Sequence, residues 1–577
     1  MDFQHLRRQS LIHSNGYFML KSIKIENFKP FGEGRTVRLA PITLIYGPNS
    51  SGKSSLIQSL LLMRQTLTEQ GVQGRNDLLT SGSFANLGSF ISLIHRHDPA
   101  RKLKLRFEFA ATASRSRRPG FLDQDPCSAL TLSYEATPIP PDEFCPILSG
   151  IDFDLVDSEG QSVSFGLQRS AATTIADLLA QATSTFNDEV DEMEFQVANE
   201  PGRRQDHPDD FKFTAGSDLN GLYKAAEING REIQARNPRH ATGLPSTTNQ
   251  QPIKEPSTAA LETLSACRFR VMGMGPLGRE YIPSYPLYMG RSADRNPEDF
   301  VIGGLRSILR RFDHRLRRSV ANLTYLGPLR THPERLYALQ GFSDGSVGAQ
   351  GEQAVQILYH NTVQSQRNQS VVQSRRERTR ESSMIDRLNS YCKQFEIPYH
   401  FAVNSIRSEI TGDFVVLSLT DNRTGVSVAP TDVGFGIGQI LPILIEGMVA
   451  QDQSYPRMVC VEQPEIHLHP RLQAAMADFF IDTAFLLETP VADERRSRRG
   501  NVQWILETHS ETLVLRLQRR IREGSLSPKD VSILYVNPLG DQGAVIKELE
   551  LDEEGDFIDE WPGGFFEESF HEKFAGR

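Results

Sequence analysis

Alternating apolar and polar positions first appear at residues 21–28, Lys-Ser-Ile-Lys-Ile-Glu-Asn-Phe, the pattern of a half-buried strand. Residues 35–39 (RTVRL) predict a second strand, and residues 42–46 (ITLIY) form a short apolar run of strand type. A turn-rich stretch comes next, and from Ser54 onward Leu56, Leu60 and Met63 recur at helical spacing. Residues 103–110 (LKLRFEFA) read as another strand. From residue 111 to 300 the periodicity weakens. Short strand-like runs (LTLSYEA, IDFDLVD) alternate there with polar Pro-, Ser- and Asn-rich stretches, most plainly at 234–257.

Residues 301–320 (VIGGLRSILRRFDHRLRRSV) predict a strongly basic helix, and Thr324 to Leu326 a strand entering Gly327-Pro328-Leu329-Arg330. Residues 362–382 are polar and Arg-rich and read as a loop. Beyond Ile385, FVVLSLTD predicts a strand and DVGFGIGQILPILIEGMVA a glycine loop running into an apolar helix. RMVCVEQPE and NVQWILETHS are buried strands ending in carboxylates, and VSILYV with AVIKELEL makes a closing hairpin. Strands alternating with helices at both ends of the chain predict an α/β fold with a largely parallel sheet. No heptad run or fixed-period repeat is present.

At 577 residues the chain exceeds one compact core, and ordinary domain sizes imply roughly three or four structural units. Apolar residues at 38% and charged residues at 23% fit a folded soluble protein. No run approaches the ~18 apolar residues of a membrane span, and the first residues show no secretory pattern. Five scattered cysteines, Cys127, Cys145, Cys267, Cys392 and Cys460, form no CxxC pair. They argue against a disulfide framework and a cysteine zinc site, so a reducing cytoplasm is the expected location. A net charge of −9 leaves any nucleic-acid binding to local basic patches.

Gly47-Pro48-Asn49-Ser50-Ser51-Gly52-Lys53-Ser54, with Ser55 next to it, fits G-x-x-x-x-G-K-[ST] in full, between a strand and a helix. The glycines let backbone N–H groups approach phosphate oxygens. Lys53 is the expected β/γ-phosphate contact, and the Ser54 hydroxyl a Mg²⁺ ligand. Met458-Val459-Cys460-Val461 entering Glu462-Gln463-Pro464-Glu465 has the Walker B shape, with Glu462 as the second Mg²⁺ candidate. Glu507-Thr508-His509 ends another strand, where His509 suits a γ-phosphate sensor.

These motifs, with Asp432-Val-Gly434-Phe-Gly436-Ile-Gly438-Gln439 and Glu462-Gln-Pro-Glu-Ile-His-Leu-His-Pro470, resemble an ABC-type ATPase head. The set is most similar to OLD-like bacterial AAA ATPases, akin to the SMC and RecF families. Leu87-Gly-Ser-Phe90, Gly327-Pro-Leu-Arg330 and the tail Trp561-Pro-Gly-Gly-Phe-Phe566-Glu fit the same subgroup. The resemblance covers roughly 20–110 and 320–570 and implies ATP and Mg²⁺ as cofactors. It implies a head-to-tail homodimer, or a higher even oligomer, with ATP at the seam. There the signature residues Gly436, Gly438 and Gln439 of one copy complete the pocket of the other. The resulting layout is an N-terminal extension (1–18), a head N-terminal lobe (19–110), an inserted sensing or docking region (111–320) and a head C-terminal lobe with tail (321–577).

Two positions depart from the family pattern. A Ser is usual where Gly438 stands, and its loss removes a γ-phosphate hydrogen bond of about 1–2 kcal/mol. A catalytic Glu is usual where Gln463 stands, and an amide orients water but takes no proton. Either Glu465 substitutes as base or hydrolysis is slow; slow hydrolysis is the expectation. Gly273-Met-Gly275-Pro-Leu-Gly278 matches GxGxxG but reads as a turn, and His467-Leu-His469 reads as a polar corner in preference to a metal pair. Arginine clusters recur at 115–118, 306–318, 375–380, 495–499 and 516–522, fitting either a phosphate backbone (DNA or RNA) or solvated faces and acidic partners. The segment after His509 is too short for a Toprim nuclease of roughly 100 residues. The resemblance extends to the ATPase subunits of Septu-type anti-phage modules, which implies a separate effector, an HNH-type nuclease, regulated by the ATPase. The alternatives are a RecF-like DNA-repair ATPase and a non-hydrolysing scaffold.

Overall fold

A computed structural model describes residues 20–69, 78–110, 127–139, 143–156, 161–169, 210–236, 256–258, 261, 264, 269–272, 280–283, 297–339, 345–372, 383–407, 412–453, 456–485, 502–538 and 543–562. Contacts divide the chain into two compact units. One is built from residues up to Lys21, Val37–Ile57 and Asn322 onward, the other from Ser22–Thr36 and Gln58–Ala321.

The first unit is organised by a six-stranded sheet. Its strands are β1 (Ile42–Tyr46), β2 (Thr324–Leu326), β3 (Arg457–Glu462), β4 (Val502–Glu507), β5 (Val531–Pro538) and β6 (Ala544–Leu549). Their spatial order is β2-β3-β4-β1-β5-β6, parallel except for the β5–β6 hairpin at one edge. Strands β1, β3 and β4 are buried at every position, as a parallel sheet covered on both faces requires. That is why ITLIY, RMVCVE and VQWILE carry no alternation. The expected α/β fold assembled from both ends of the chain is thus observed, since β1 sits between β4 and β5. Its helices include α2 (Phe435–Asp452), α3 (Pro470–Ala484), α4 (Glu511–Arg522) and the start of α1 (Lys53–Thr68). Trp504 of β4 is fully buried and donates from Nε1 to Thr483 Oγ1 of α3 at 3.0 Å.

Among the described residues of this unit, one ion pair is buried at both partners. Glu446 of α2 is 0% exposed and meets Arg457 at the start of β3 at 3.3 Å. The other Glu446 oxygen accepts the Val347 N–H at 3.0 Å.

In the second unit the strands from Ser22–Glu26 to Glu280–Pro283 form an antiparallel sheet. Leu103–Glu108 pairs with Ser22–Glu26 on one side and with Cys127–Ile139 on the other, so the chain on both sides of residue 110 shares this sheet. Phe153 stacks on Phe165 at 4.8 Å and meets Phe312 of the helix Pro297–Val320 edge-on at 5.0 Å.

The loop expected at 362–382 is corrected in its first half. A helix spans Ala354–Val372, because residues 354–372 contain no Gly or Pro to stop it. The basic helix at 301–320 is observed, and its arginines are split: Arg310 and Arg318 are exposed, whereas Arg315 and Arg317 are engaged within the protein. Arg315 is buried and donates to the Cys127 and Ala110 carbonyls, and Arg317 pairs with Asp313 at 3.0 Å. On α4, Arg516 and Arg520 both bind Asp478, Arg519 binds Glu523 and Arg522 binds Asp556. The 1–18 extension, the 273–278 glycine turn, the arginines at 115–118, 375–380 and 495–499, and the tail beyond 562 lie outside the described residues. No helix among the described residues is long and apolar enough to cross a membrane.

Glu446→Ala leaves Arg457 buried without its partner. Denaturant titration should show a loss of about 3–5 kcal/mol.

Candidate nucleotide site

Strand β1 ends at Tyr46, whose hydroxyl donates to the Ser510 carbonyl at 2.8 Å and pins the strand end to the start of α4. The phosphate loop comes next. Gly47 has φ +146°, and a Cβ there would meet the Val536 carbonyl oxygen at 2.4 Å, so only glycine fits. Ser50 (φ +61°) and Gly52 (φ +101°) complete the left-handed turn. Lys53 is 4% exposed, and its Nζ donates to the Gly47 and Pro48 carbonyls at 3.0 and 2.9 Å. Burial lowers its pKa, partly offset by Glu507, Glu462 and Glu465. A triphosphate offers this ammonium stronger acceptors than two carbonyls.

Ser54 Oγ donates to Glu507 Oε2 at 2.8 Å. Strands β3 and β4 run in register, Glu462 opposite Glu507, so the two glutamates stand side by side at the C-terminal edge of the sheet. Both are buried, and burial is the main cause that raises both pKa values; Glu462, pressed further by Glu507, reaches about 7. Glu462 Oε1 accepts the Tyr325 hydroxyl at 3.0 Å, and its carbonyl accepts Arg330 Nη2 at 2.8 Å. Burial lowers Arg330 itself to about 10.

Gln463 sits in the left-handed region (φ +48°), with its N–H donated to the Glu507 carbonyl at 2.7 Å. Glu465 is occupied at both oxygens, by the Thr508 hydroxyl and the His509 N–H, each at 2.7 Å. Glu465 therefore positions the Thr508–His509 corner. Burial, then the Lys53 ammonium, lowers the His509 pKa, so its imidazole is neutral near pH 7.

The signature residues open α2. Gly434 is its N-cap and supplies no side-chain cap, so the first-turn N–H groups keep their anion-binding capacity. A Cβ on Gly436 would meet the His467 carbonyl oxygen at 2.9 Å, and one on Gly438 would lie 2.6 Å from Pro333 Cγ. The glycine at 438, unexpected from the family pattern, is thus required by Pro333. Gln439 is buried, and its Nε2 finds no hydrogen-bond partner among the described residues. His469 caps α3 by accepting the Arg471 N–H at 3.3 Å, and His467 is exposed, which fits the polar corner.

The structure brings Lys53, Ser54, Glu462, Gln463, Glu465 and His509 to one edge of the sheet, with Asn49 and Ser55 in the loop and turn beside them. Sequence reasoning missed Glu507, Tyr325 and Arg330 as parts of the site. Their signals were present: Glu507 ends an apolar strand, and Tyr325 and Arg330 flank Gly327-Pro328. Among the described residues no three His, Cys, Asp or Glu side chains can hold a metal by themselves. Mg²⁺ needs only one or two carboxylates when phosphate oxygens complete its shell. The Ser54 hydroxyl and the Glu462 carboxylate, in a pocket of buried acids, fit such an ion.

A phosphate loop set against a Walker-type strand in a parallel sheet makes the protein a P-loop ATPase. A sequence model described as an AAA ATPase domain matches residues 19–201 and 348–514, more than half of the chain, which therefore belongs to that family. A second model, for a protein of unknown function (DUF3696), matches residues 526–575. No curated protein matches the chain. Similar solved structures include the SMC head domain from Thermotoga maritima, with 9% identity over 92% of this chain and 99% of that one at a TM-score of 0.31. Another is the Smc head domain with an extended coiled coil, bound to the C-terminal domain of ScpA, derived from Pyrococcus furiosus. It has 10% identity over 92% and 96% of the two chains and a TM-score of 0.34.

Introducing the family Ser as Gly438→Ser should destabilise the fold by about 1–3 kcal/mol through overpacking. Adding Pro333→Ala should recover most of it, read by thermal melts. Because the Glu462 pKa is raised to about 7 in the fold, the native state binds the extra proton between the ordinary carboxylate range and 7. This carboxyl's contribution to stability without nucleotide should therefore fall as pH rises through that window. Glu462→Gln should flatten the measured slope of melting temperature against pH.

Proposed function

We propose that this protein is an ABC/SMC-like ATPase that closes as a head-to-tail homodimer around two ATP molecules with Mg²⁺ and hydrolyses them slowly. The observation that carries this is Gln463. It stands next to Glu462 on a corner braced by the Glu507 carbonyl and by Arg330, at the position where a proton-accepting carboxylate is expected. Glu465 has both oxygens engaged, which argues against its replacing that base.

Each residue then has a role. Lys53 and the loop N–H groups hold the phosphates, while Ser54 and Glu462 hold Mg²⁺, which when bound neutralises charge on the phosphates. The Gln463 amide orients the attacking water, and His509 donates to the γ-phosphate. The uncapped start of α2, with Gly436 and Gly438, faces the γ-phosphate of the opposite copy. Slow hydrolysis makes nucleotide a state marker: ATP favours the closed pair, and its loss releases a partner by population shift. The motif resemblance supports an effector, an HNH-type nuclease, in bacterial anti-phage defence, acting in the cytoplasm. Arg315, Arg317, Arg516 and Arg520 are engaged within the protein, which weighs against direct DNA or RNA binding by those four side chains.

Gln463→Glu should raise ATP turnover by about 10²-fold, the low end of general-base catalysis. Light scattering of the wild type should show a dimer with ATP and Mg²⁺. An unchanged rate in the variant refutes the slow-hydrolysis reading, and a monomer at every ATP and protein concentration refutes closure.

A further inference from the structure

We infer that Glu507, at the end of β4, is a nucleotide-site carboxylate that shares the divalent cation of bound ATP with Ser54, with Glu462 as its neighbour on the opposite side. The inference rests on the ATP-site reading above and adds a ligand that neither the phosphate-loop motif nor the Walker B motif contains.

Three observations carry it. The hydroxyl of a phosphate-loop Ser is the loop's own metal ligand, and the carboxylate hydrogen-bonded to Ser54 Oγ is Glu507, at 2.8 Å. The strand order puts β4 directly against β1, with Glu507 in register with Ile45, whereas β3 lies one strand further from the loop. Glu462 is meanwhile committed at one oxygen to the Tyr325 hydroxyl. Finally, Glu507 is 6% exposed beside another buried carboxylate, and the nearby Lys53 ammonium donates to two carbonyls. Two adjacent buried carboxylates are costly without a cation. A Mg²⁺ ion bound through one or two carboxylates, a hydroxyl and phosphate oxygens has the ligand set that Ser54, Glu507 and Glu462 supply.

The experiment is metal binding read directly, independent of turnover. Mn²⁺ is titrated by electron paramagnetic resonance into the full-length protein with the non-hydrolysable analogue AMP-PNP. In parallel, binding of a fluorescent ATP analogue is measured in excess EDTA. Glu507→Gln keeps the size of the side chain and an acceptor for Ser54 but removes the charge. The expected result is a loss of Mn²⁺ affinity of at least about tenfold, with metal-free nucleotide binding unchanged. Thermal melts verify folding, and Glu507→Asp serves as the second variant, with an intermediate loss expected. Wild-type Mn²⁺ affinity in Glu507→Gln, alongside its loss in Glu462→Gln, overturns the inference. Equal loss of nucleotide binding in EDTA also overturns it, since Glu507 would then support the loop and not the ion. If the wild type binds no nucleotide under either condition, the ATP-site reading falls first and the inference with it.

Discussion

Two glutamates held in register on adjacent parallel strands, both out of water, are the constraint around which the nucleotide site is arranged. Their mutual repulsion and desolvation oppose folding, and only the apolar strands beneath them make the arrangement sustainable. Strands β1, β3 and β4 are buried at every position and deliver Glu462, Glu507 and the phosphate loop to the same sheet edge. The surrounding polar groups act as braces. Tyr325 donates to Glu462, Ser54 donates to Glu507, and Arg330 gives its hydrogen bonds to main-chain carbonyls. Burial of two carboxylates at one sheet edge raises the pKa of both, a perturbation typical of functional sites.

Beside this charge, the corner at Gln463 is a matter of chemistry more than of geometry. Its backbone is fixed by the Glu507 carbonyl, and the adjoining Glu465 clamps Thr508 and His509. The backbone that carries the amide is therefore held by hydrogen bonds on both sides. What is missing is a group able to take a proton, which makes Gln463→Glu an informative change.

Much of this was legible in the chain. The phosphate loop announces itself because only glycine tolerates the backbone at Gly47, and β3 and β4 do so because an unbroken apolar run can only be buried. Glu507 was harder to read. A glutamate at a strand end looks like an ordinary solvated terminus until the strand order shows that β4, and not β3, lies next to β1. Tyr325 sits on a strand of three residues, too short for any periodicity. The antiparallel sheet was blurred for another reason. Its long strands Cys127–Ile139 and Glu143–Val156 contain Pro138 and Pro146 and register shifts at 127–129 and 133–134, which break the alternation. The helix reaching Val372 was hidden by polarity, although polar residues without Gly or Pro continue a helix readily.

The signature helix and the Walker strand are joined at two places, and this bears on how closure reaches the chemistry. At the start of α2, Gly436 lies against the His467 carbonyl, in the turn just past Glu462–Glu465, and a side chain there would push the two apart. Further along, the buried Glu446–Arg457 pair ties α2 to the first residue of β3. Between them Pro442 removes one intrahelical hydrogen bond, and Gly351, at φ +75°, comes so close that a Cβ would lie 2.5 Å from the proline ring. The helix is thus held at its first turn, at Pro442 and again at Glu446. The first turn of α2, the start of β3 and the turn after Glu462–Gln463 are linked by direct contacts in a close-packed interior, which transmits strain. In the proposed closed pair, contact with the opposite copy's γ-phosphate therefore acts on that copy's pocket through hydrogen bonding and on the helix's own pocket through this mechanical connection.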